Sequence, residues 1–254
     1  ICIYEESKNI EERYKENIEL ATQIKEAILG NRIICHYQPL LNIENSEIYS
    51  YESLVRLIDN KGNSLAPYKF LDFSKKIKLY SSITKIVVDK ACKTFQNRDE
   101  NFSINLSVDD IKDLETVDFI LKTIKETNTS SRVTFEILES EGIENYQEVI
   151  SFINQIKSLG ARIAIDDFGT GYSNFEHLLR LDVDYIKIDG SLIKNIVTDD
   201  KHRLIVETIV SFAKRIGIKT VAEFVSDEKI LQTIKEIGIS CAQGYHIGKP
   251  ETLV

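Results

Sequence analysis

Short apolar runs alternate along the chain with longer amphipathic stretches, from residue 33 to residue 244. The short runs are rich in β-branched and aromatic residues, which is typical of buried strands. Eight of them are predicted as strands, at residues 33–40, 48–58, 102–106, 132–138, 161–166, 184–188, 218–223 and 240–244. Most of the intervals, such as residues 145–159 and 202–216, are long enough for a crossover helix.

This succession predicts an α/β protein with a (β/α)8 TIM-like barrel. Residues 41–47, between the first two runs, are too few for a helix, so these two strands are expected to form a hairpin. The barrel would therefore contain one antiparallel strand. A doubly wound open sheet is the alternative, but no glycine-rich phosphate loop follows the first run.

The N-terminal segment has a helical pattern of its own. Within residues 11–29 the apolar residues Ile18, Ala21, Ile24 and Ile28 recur at helical spacing. The chain contains no Met, so it is expected to be part of a longer protein. Residues 1–17 are interpreted as the remnant of an upstream region or linker, and residues 18–254 as the domain itself.

Composition narrows the class of protein. Hydrophobic residues make up 43% and charged residues 28%, as in ordinary globular proteins. A net charge of −8 argues against binding to DNA, which needs basic patches. No apolar run is long enough to span a bilayer, so no direct membrane contact is expected from this segment. The four cysteines include no C-x-x-C pair, which favours a reducing cytoplasm.

Most of the predicted strands carry a polar residue near the C-terminal end. In a (β/α)8 barrel those ends meet at one mouth, where the active site lies. Alternation places Glu52, Leu54 and Arg56 on one side of their strand, and Lys187 and Asp189 on one side of theirs. The polar residues, in chain order, are Glu52, Asn105, Glu136, Asp166 with Asp167, Lys187, Glu223 and Gln243.

So many carboxylates cannot be buried together without cations. A set of Glu, Asn and Asp oxygens suits Mg²⁺ or Mn²⁺ rather than zinc or copper. The adjacent Asp166 and Asp167 could each serve one of two neighbouring ions.

These residues lie in segments that resemble the EAL domain family, in family order over roughly residues 18–250. The DDFGTGYS stretch is the most specific of them. The segments are YQP at 37–39, YESLVR at 51–56, NLS at 105–107, EILES at 136–140, DDFGTGYS at 166–173, KID at 187–189, AE at 222–223 and QGY at 243–245.

The resemblance implies a phosphodiesterase that converts cyclic di-GMP to linear pGpG with two Mg²⁺ or Mn²⁺ ions. Lys187 and Glu223 would be catalytic, and Glu139 would anchor the loop at residues 167–173. That loop, with Phe168 and Tyr172, would couple metal binding to the interface of a homodimer. The substrate would be bound by Gln38, Leu54, Arg56 and Gln243. The metal ligands would be Glu52, Asn105, Glu136, Asp166, Asp167 and Asp189. Asp189 could equally be a carboxylate that orients Lys187 without binding a metal ion.

The N-terminal helix is similar to the linker that joins this domain to an upstream GGDEF or sensory domain. The sequence also departs from the family pattern after Glu223, where AEGVET is replaced by Ala-Glu-Phe-Val-Ser-Asp at 222–227. Phe224 stands at a glycine position and Ser226 at a glutamate position, which could weaken metal binding or turnover. The alternative function is therefore a catalytically weak or inactive receptor for cyclic di-GMP.

Overall fold

A computed structural model of the protein describes residues 2–139, 146–170 and 175–253. Its strands form a single sheet that closes on itself, because the last strand pairs with the first. The strands are β1 (Ile33–Asn42), β2 (Glu47–Ile58), β3 (Ser64–Leu65), β4 (Asn101–Leu106), β5 (Val133–Leu138), β6 (Arg162–Phe168), β7 (Tyr185–Ile188), β8 (Lys219–Ala222) and β9 (Cys241–Gln243). The predicted barrel is confirmed.

The barrel strands follow one another in the order β1, β2, β4, β5, β6, β7, β8 and β9. Every neighbouring pair from β2 to β9 is parallel. Strand β1 is antiparallel to both of its neighbours, which confirms the predicted antiparallel strand. The two-residue strand β3 pairs with the end of β2 and was not predicted, since it is too short to show a hydrophobic pattern.

Helices surround the barrel and bury one face against it. In the helix at Asp200–Ile216, for example, the buried residues recur three or four positions apart. They are Val206, Ile209, Val210 and Ala213. The helices are α1 (Cys2–Leu29), α2 (Leu71–Lys76), α3 (Tyr80–Phe95), α4 (Val108–Lys112), α5 (Leu114–Glu126), α6 (Tyr146–Ser158), α7 (Phe175–Arg180), α8 (Gly190–Ile193), α9 (Asp200–Ile216) and α10 (Glu228–Ile237). Helices α6 and α9 lie in the two intervals where crossover helices were predicted.

Within residues 14–29 of helix α1, the part whose side chains the structure describes, the last turns pack against the barrel. Ile24 and Ala27 are fully buried, whereas Tyr14 and Ile18 are exposed. The helix runs without a break through residue 17, where the sequence placed a domain boundary, and that boundary stays a prediction. Among the described helices, none has the length and apolar character that crossing a bilayer requires.

The interior of the barrel consists of two layers. A lower layer, here called the floor, is formed by Leu40, Ala164, Tyr185, Val221 and Cys241, which pack together as one cluster. Two residues further along β6, β7, β8 and β9 come the polar residues predicted to form the site: Asp166, Lys187, Glu223 and Gln243. The strand register therefore stacks a polar layer on an apolar floor, at the end of the barrel where the parallel strands finish.

Candidate active site

Lys187 lies at the centre of the polar layer. Its Nζ atom is 2.7 Å from Glu136 Oε2, 2.9 Å from Glu223 Oε1, 3.0 Å from Asp166 Oδ1 and 3.5 Å from Glu52 Oε2. These four carboxylates come from β2, β5, β6 and the end of β8. The Lys187 side chain is only 1% exposed, so the cluster is shielded from bulk water.

The electrostatics of the cluster follow from this geometry. Burial alone would lower the pKa of Lys187, but the carboxylates of Asp166, Glu136, Glu223 and Glu52 raise it well above its usual value. Burial raises the pKa of Glu136 and of Glu223 to about 8, and the attraction of Lys187 only partly offsets that rise. One ammonium group cannot keep this many buried carboxylates ionised, so the cluster has the capacity to take up further cations.

Glu52 is held differently from its neighbours. Asn105 Nδ2 donates a hydrogen bond to its Oε1 atom at 2.7 Å, and Gln243 Nε2 donates to its Oε2 atom at 2.7 Å. Burial alone would raise the pKa of Glu52, but Lys187, Gln243 and Asn105 together hold it below its usual value. Gln38 lies opposite Glu52 in the β1–β2 pair, and its Nε2 atom donates to the carbonyl of Gly248 at 3.1 Å. Strand pairing thus brings four predicted site residues together.

Asp166, Asp167 and Glu223 form the group best placed to hold a metal ion. Each offers a carboxylate oxygen within 4.8 Å of the others. Burial and the charge of Asp166 raise the pKa of Asp167 to about 6. Asp167 has a left-handed backbone with φ of 55°, a conformation that short polar side chains tolerate. This all-oxygen donor set fits a hard divalent cation such as Mg²⁺ or Mn²⁺.

Asp189 and Glu139 lie at the edge of the cluster. Asp189 accepts a hydrogen bond from the Ser191 backbone at 2.8 Å and so caps helix α8, while its charge contributes to the raised pKa of Asp167. Glu139 Oε2 accepts from the Gly169 backbone at 3.3 Å, at the start of the loop that it was predicted to anchor. Residues 171–173 of that loop, including Tyr172, lie outside the described residues.

Leu54 and Arg56 lie on the β2 side of the mouth. Arg56 is half-buried, and its Nη1 atom donates to the carbonyl of Val55 at 2.8 Å. Leu54 and Asn105 line an apolar cavity of about 250 Å³ between the ends of β2 and β4. The cavity opens where the two strands diverge, since their pairing ends at Ser53 and Ile104.

The sequence did not identify the rest of this cavity. Its other walls come partly from strand ends and partly from helices and loops outside the barrel, where apolar residues read as ordinary core. The lining residues include Val55, Pro67, Leu71, Tyr80, Ile83 and Leu106.

Phe224 and Ser226, which depart from the family pattern, lie just after Glu223 in the chain. Phe224 has a left-handed backbone with φ of 55°, and its side chain is 56% exposed. Ser226 Oγ donates to Asp227 Oδ2 at 3.0 Å, and Asp227 accepts from the backbones of Lys229 and Ile230 as the N-cap of α10. Asp227 is therefore engaged as the cap of helix α10.

The family model described as "EAL domain" matches residues 21–250. The chain belongs to the EAL domain family. It is 35% identical over 261 residues to "Cyclic di-GMP phosphodiesterase PdeB" of Shewanella oneidensis, covering 100% of this chain and 30% of that protein. It is 30% identical over 251 residues to "Cyclic di-GMP phosphodiesterase PdeF" of Escherichia coli, covering 96% of this chain and 33% of that protein.

The solved structure of the "PaMucR Phosphodiesterase, c-di-GMP complex" has the same fold. It superposes with a TM-score of 0.86 at 28% identity, covering 92% of this chain and 97% of that one. By contrast, the chain spans about a third of the length of PdeB and PdeF. The comparison with PaMucR therefore concerns the whole EAL domain, and the comparisons with PdeB and PdeF concern one part of longer proteins.

Proposed function

We propose that this domain is a metal-dependent phosphodiesterase that hydrolyses cyclic di-GMP to linear pGpG. The observation that carries the proposal is the buried cluster in which Lys187 contacts Glu52, Glu136, Asp166 and Glu223. A receptor needs no such arrangement of charges, because buried carboxylates destabilise a fold unless they are neutralised. The names of PdeB and PdeF agree with this chemistry.

The acidic residues of the mouth would hold two Mg²⁺ or Mn²⁺ ions. Asp166, Asp167 and Glu223 form the compact group, and Glu52, Asn105, Glu136 and Asp189 complete the proposed set. When bound, divalent cations supply Lewis acidity that offsets the negative charge of a phosphodiester. This explains how an acidic chain could hold an anionic substrate.

The residues of the chain would then carry the reaction. A water oxygen attacks phosphorus, the bond from phosphorus to the 3′ oxygen breaks, the departing 3′ oxygen takes up a proton from solvent, and the ring opens to pGpG. Glu223 would accept a proton from the water once bound cations favour its ionised form, because its carboxylate lies beside Lys187 and Asp166 in the cluster. The ammonium of Lys187 would orient the water and stabilise the negative charge that develops.

Substrate binding would use the β2 side of the mouth. The cavity beside Leu54 and Asn105 is apolar and has room for a nucleobase. Arg56 would leave the Val55 carbonyl to pair with a phosphate oxygen, for which its planar guanidinium is suited. Gln38 and Gln243 would fix the position of Glu52 beneath the substrate.

The second candidate is a receptor that binds cyclic di-GMP without hydrolysing it. Phe224 and Ser226 favour it, because both replace residues of the family pattern directly after Glu223. The test is to incubate the purified domain with cyclic di-GMP and Mg²⁺ or Mn²⁺ and to measure pGpG by chromatography. Product formation that stops on addition of a chelator supports the enzyme. Tight metal-dependent binding without product would leave the receptor.

The proposal extends to the setting of the domain. By its resemblance to the family it would act in the cytoplasm as a homodimer, downstream of a GGDEF or sensory domain that joins it through α1. Light scattering of the purified domain measures the oligomeric state. A monomer at all concentrations, with and without cyclic di-GMP, would contradict the dimer.

A further inference from the structure

Phe224 is the most unusual residue at the rim of the barrel. A left-handed backbone is unfavourable for a bulky L-residue, and Phe224 adopts one with φ of 55°. Burial does not compensate for it, since 56% of the side chain is exposed to solvent. A residue that is strained and exposed contributes little to the fold, and such positions cluster where a ligand is bound.

The ring is nevertheless held in one place. It lies directly on Gly190, where a Cβ atom would come within 2.2 Å of Phe224 Cδ2 and 2.6 Å of Cγ. The Nζ atom of Lys194, which directly follows helix α8, lies 4.0 Å from the ring centroid. Gly190 and Lys194 hold the ring in place, while 56% of the side chain stays exposed.

The position of the ring relative to the carboxylates is set by the chain. Phe224 directly follows Glu223, and Gly190 beneath it directly follows Asp189. The ring therefore lies between the ends of β7 and β8, the strands that carry Lys187 and lead into Glu223. The apolar cavity at Leu54 lies between the ends of β2 and β4, which is four strands away in either direction around the eight-stranded barrel. The two apolar features thus face each other across the cluster.

We propose that Phe224 is a stacking platform for one purine base of the substrate, opposite the cavity that receives the other base. The inference rests on the proposed function and adds a binding residue to it. A cyclic dinucleotide carries two bases on opposite sides of its phosphodiester ring, which matches two apolar subsites on opposite sides of the cluster. Stacking on an aromatic ring needs no hydrogen-bond pattern, so Phe224 contributes to affinity rather than to discrimination between purines.

The test separates the ring from the rest of the residue. Phe224→Leu keeps an apolar side chain but removes the aromatic face, and Phe224→Gly relieves the backbone strain. We expect the KM for cyclic di-GMP to rise about tenfold in both variants, as for the loss of one base stack, with little change in kcat. Thermal unfolding checks the fold, and Phe224→Gly is expected to be at least as stable as the natural chain because glycine accepts positive φ.

A second variant gives a direct signal. The chain contains no tryptophan, so Phe224→Trp creates a single fluorophore at the proposed platform. We expect cyclic di-GMP to quench its emission in proportion to occupancy. Tyr14→Trp is the matched control, since Tyr14 is 65% exposed on α1, and its emission is expected to stay constant.

The outcomes distinguish the two proposals. If the natural chain neither binds nor hydrolyses cyclic di-GMP, the proposed function fails and the platform fails with it. If the natural chain is active while Phe224→Leu and Phe224→Gly keep its KM, the platform alone is wrong. Unquenched emission from a Phe224→Trp variant that still turns over the substrate would overturn the platform as well.

Discussion

Lys187 Nζ and Glu136 Oε2 lie 2.7 Å apart with both side chains almost fully buried, which makes this pair the centre of the charge balance in the barrel. Three further carboxylates lie within 3.5 Å of the same ammonium group. Removing one partner of a buried ion pair leaves charges that nothing compensates. The stability of the metal-free protein should therefore depend on Lys187.

Lys187→Met keeps the length of the side chain and removes its charge. We expect this variant to lose phosphodiesterase activity and about 3–5 kcal/mol of unfolding free energy at pH 8 in a chelator. Urea denaturation measures the stability, with Lys201→Met on the exposed surface of α9 as the control. Equal stability of Lys187→Met and the natural chain would show that the carboxylates are already protonated at pH 8.

The raised pKa values of Glu136 and Glu223 predict an unusual pH profile for the metal-free protein. In the folded state both groups keep their protons up to about pH 8, whereas their ordinary value is 4.5. The folded chain therefore binds more protons than the unfolded chain between these values, and stability should fall as the pH rises through this window. The lowered pKa of Glu52 has the opposite effect on stability. The stability that ionised Glu52 contributes is lost as the pH falls below 4.5.

Unfolding in chelator at several pH values between 5 and 8 measures this slope. Glu136→Gln should flatten it by removing one of the two titrating groups. A stability that rises steadily over the same range in the natural chain would contradict the assignment.

Added Mg²⁺ or Mn²⁺ should reverse the destabilisation at high pH. A ligand that binds only the folded state adds about 2.7 kcal/mol at a concentration of 100 times its Kd. The gain should be larger at pH 8 than at pH 6, because protons compete with the ion for the carboxylates. Calorimetry of Asp167→Asn should show weaker binding, with the exposed Asp109→Asn on α4 unchanged.

Glu52→Ala tests the assignment of the metal ligands. The side chain links Lys187, Asn105 and Gln243, so its loss should lower turnover by roughly 100-fold or more. Glu47→Ala on the exposed start of the same strand serves as the control. Near-normal production of pGpG by Glu52→Ala would remove Glu52 from the site.

Ser226→Glu restores the residue that the family pattern has at this position. Because Ser226 is exposed and its side chain bonds to the neighbouring Asp227, the substitution should leave the fold intact. We expect higher turnover at limiting Mg²⁺, measured as pGpG formed, and no such gain in Ser226→Ala. Identical rates for Ser226→Glu and the natural chain would mean that Ser226 is not a weakness of the site.

The barrel could be predicted because buried parallel strands read as apolar runs and because residues 41–47 leave no room for a helix. Strand β3 could not, since Ser64 and Leu65 gain their pairing only from the neighbouring end of β2. Helix α1 was predicted from residue 11 but begins at Cys2, because the sequence before residue 11 is polar and its apolar spacing is weak.

The polar layer could be predicted in outline, since alternation along a strand decides which side chains share a face. Alternation along a strand does not give distances between strands. The contact of one ammonium group with four carboxylates was therefore found only in the structure of the closed barrel. The cavity beside Leu54 also needed the structure, because it depends on β2 and β4 diverging after Ser53. Phe224 was noted as a substitution, but its seat on Gly190 has no sequence signature.

The two-layer interior separates what closes the barrel from what does chemistry. The sheet is closed by strand pairing and by the apolar floor at Leu40, Tyr185 and Val221, none of which carries a proposed catalytic role. Exchanging a whole set of buried charges for apolar side chains is often neutral or even stabilising. In a protein with this architecture, substitutions in the polar layer can therefore remove catalysis without unfolding the barrel. The folded domain could still bind a ligand and signal, so catalysis and signalling can evolve independently.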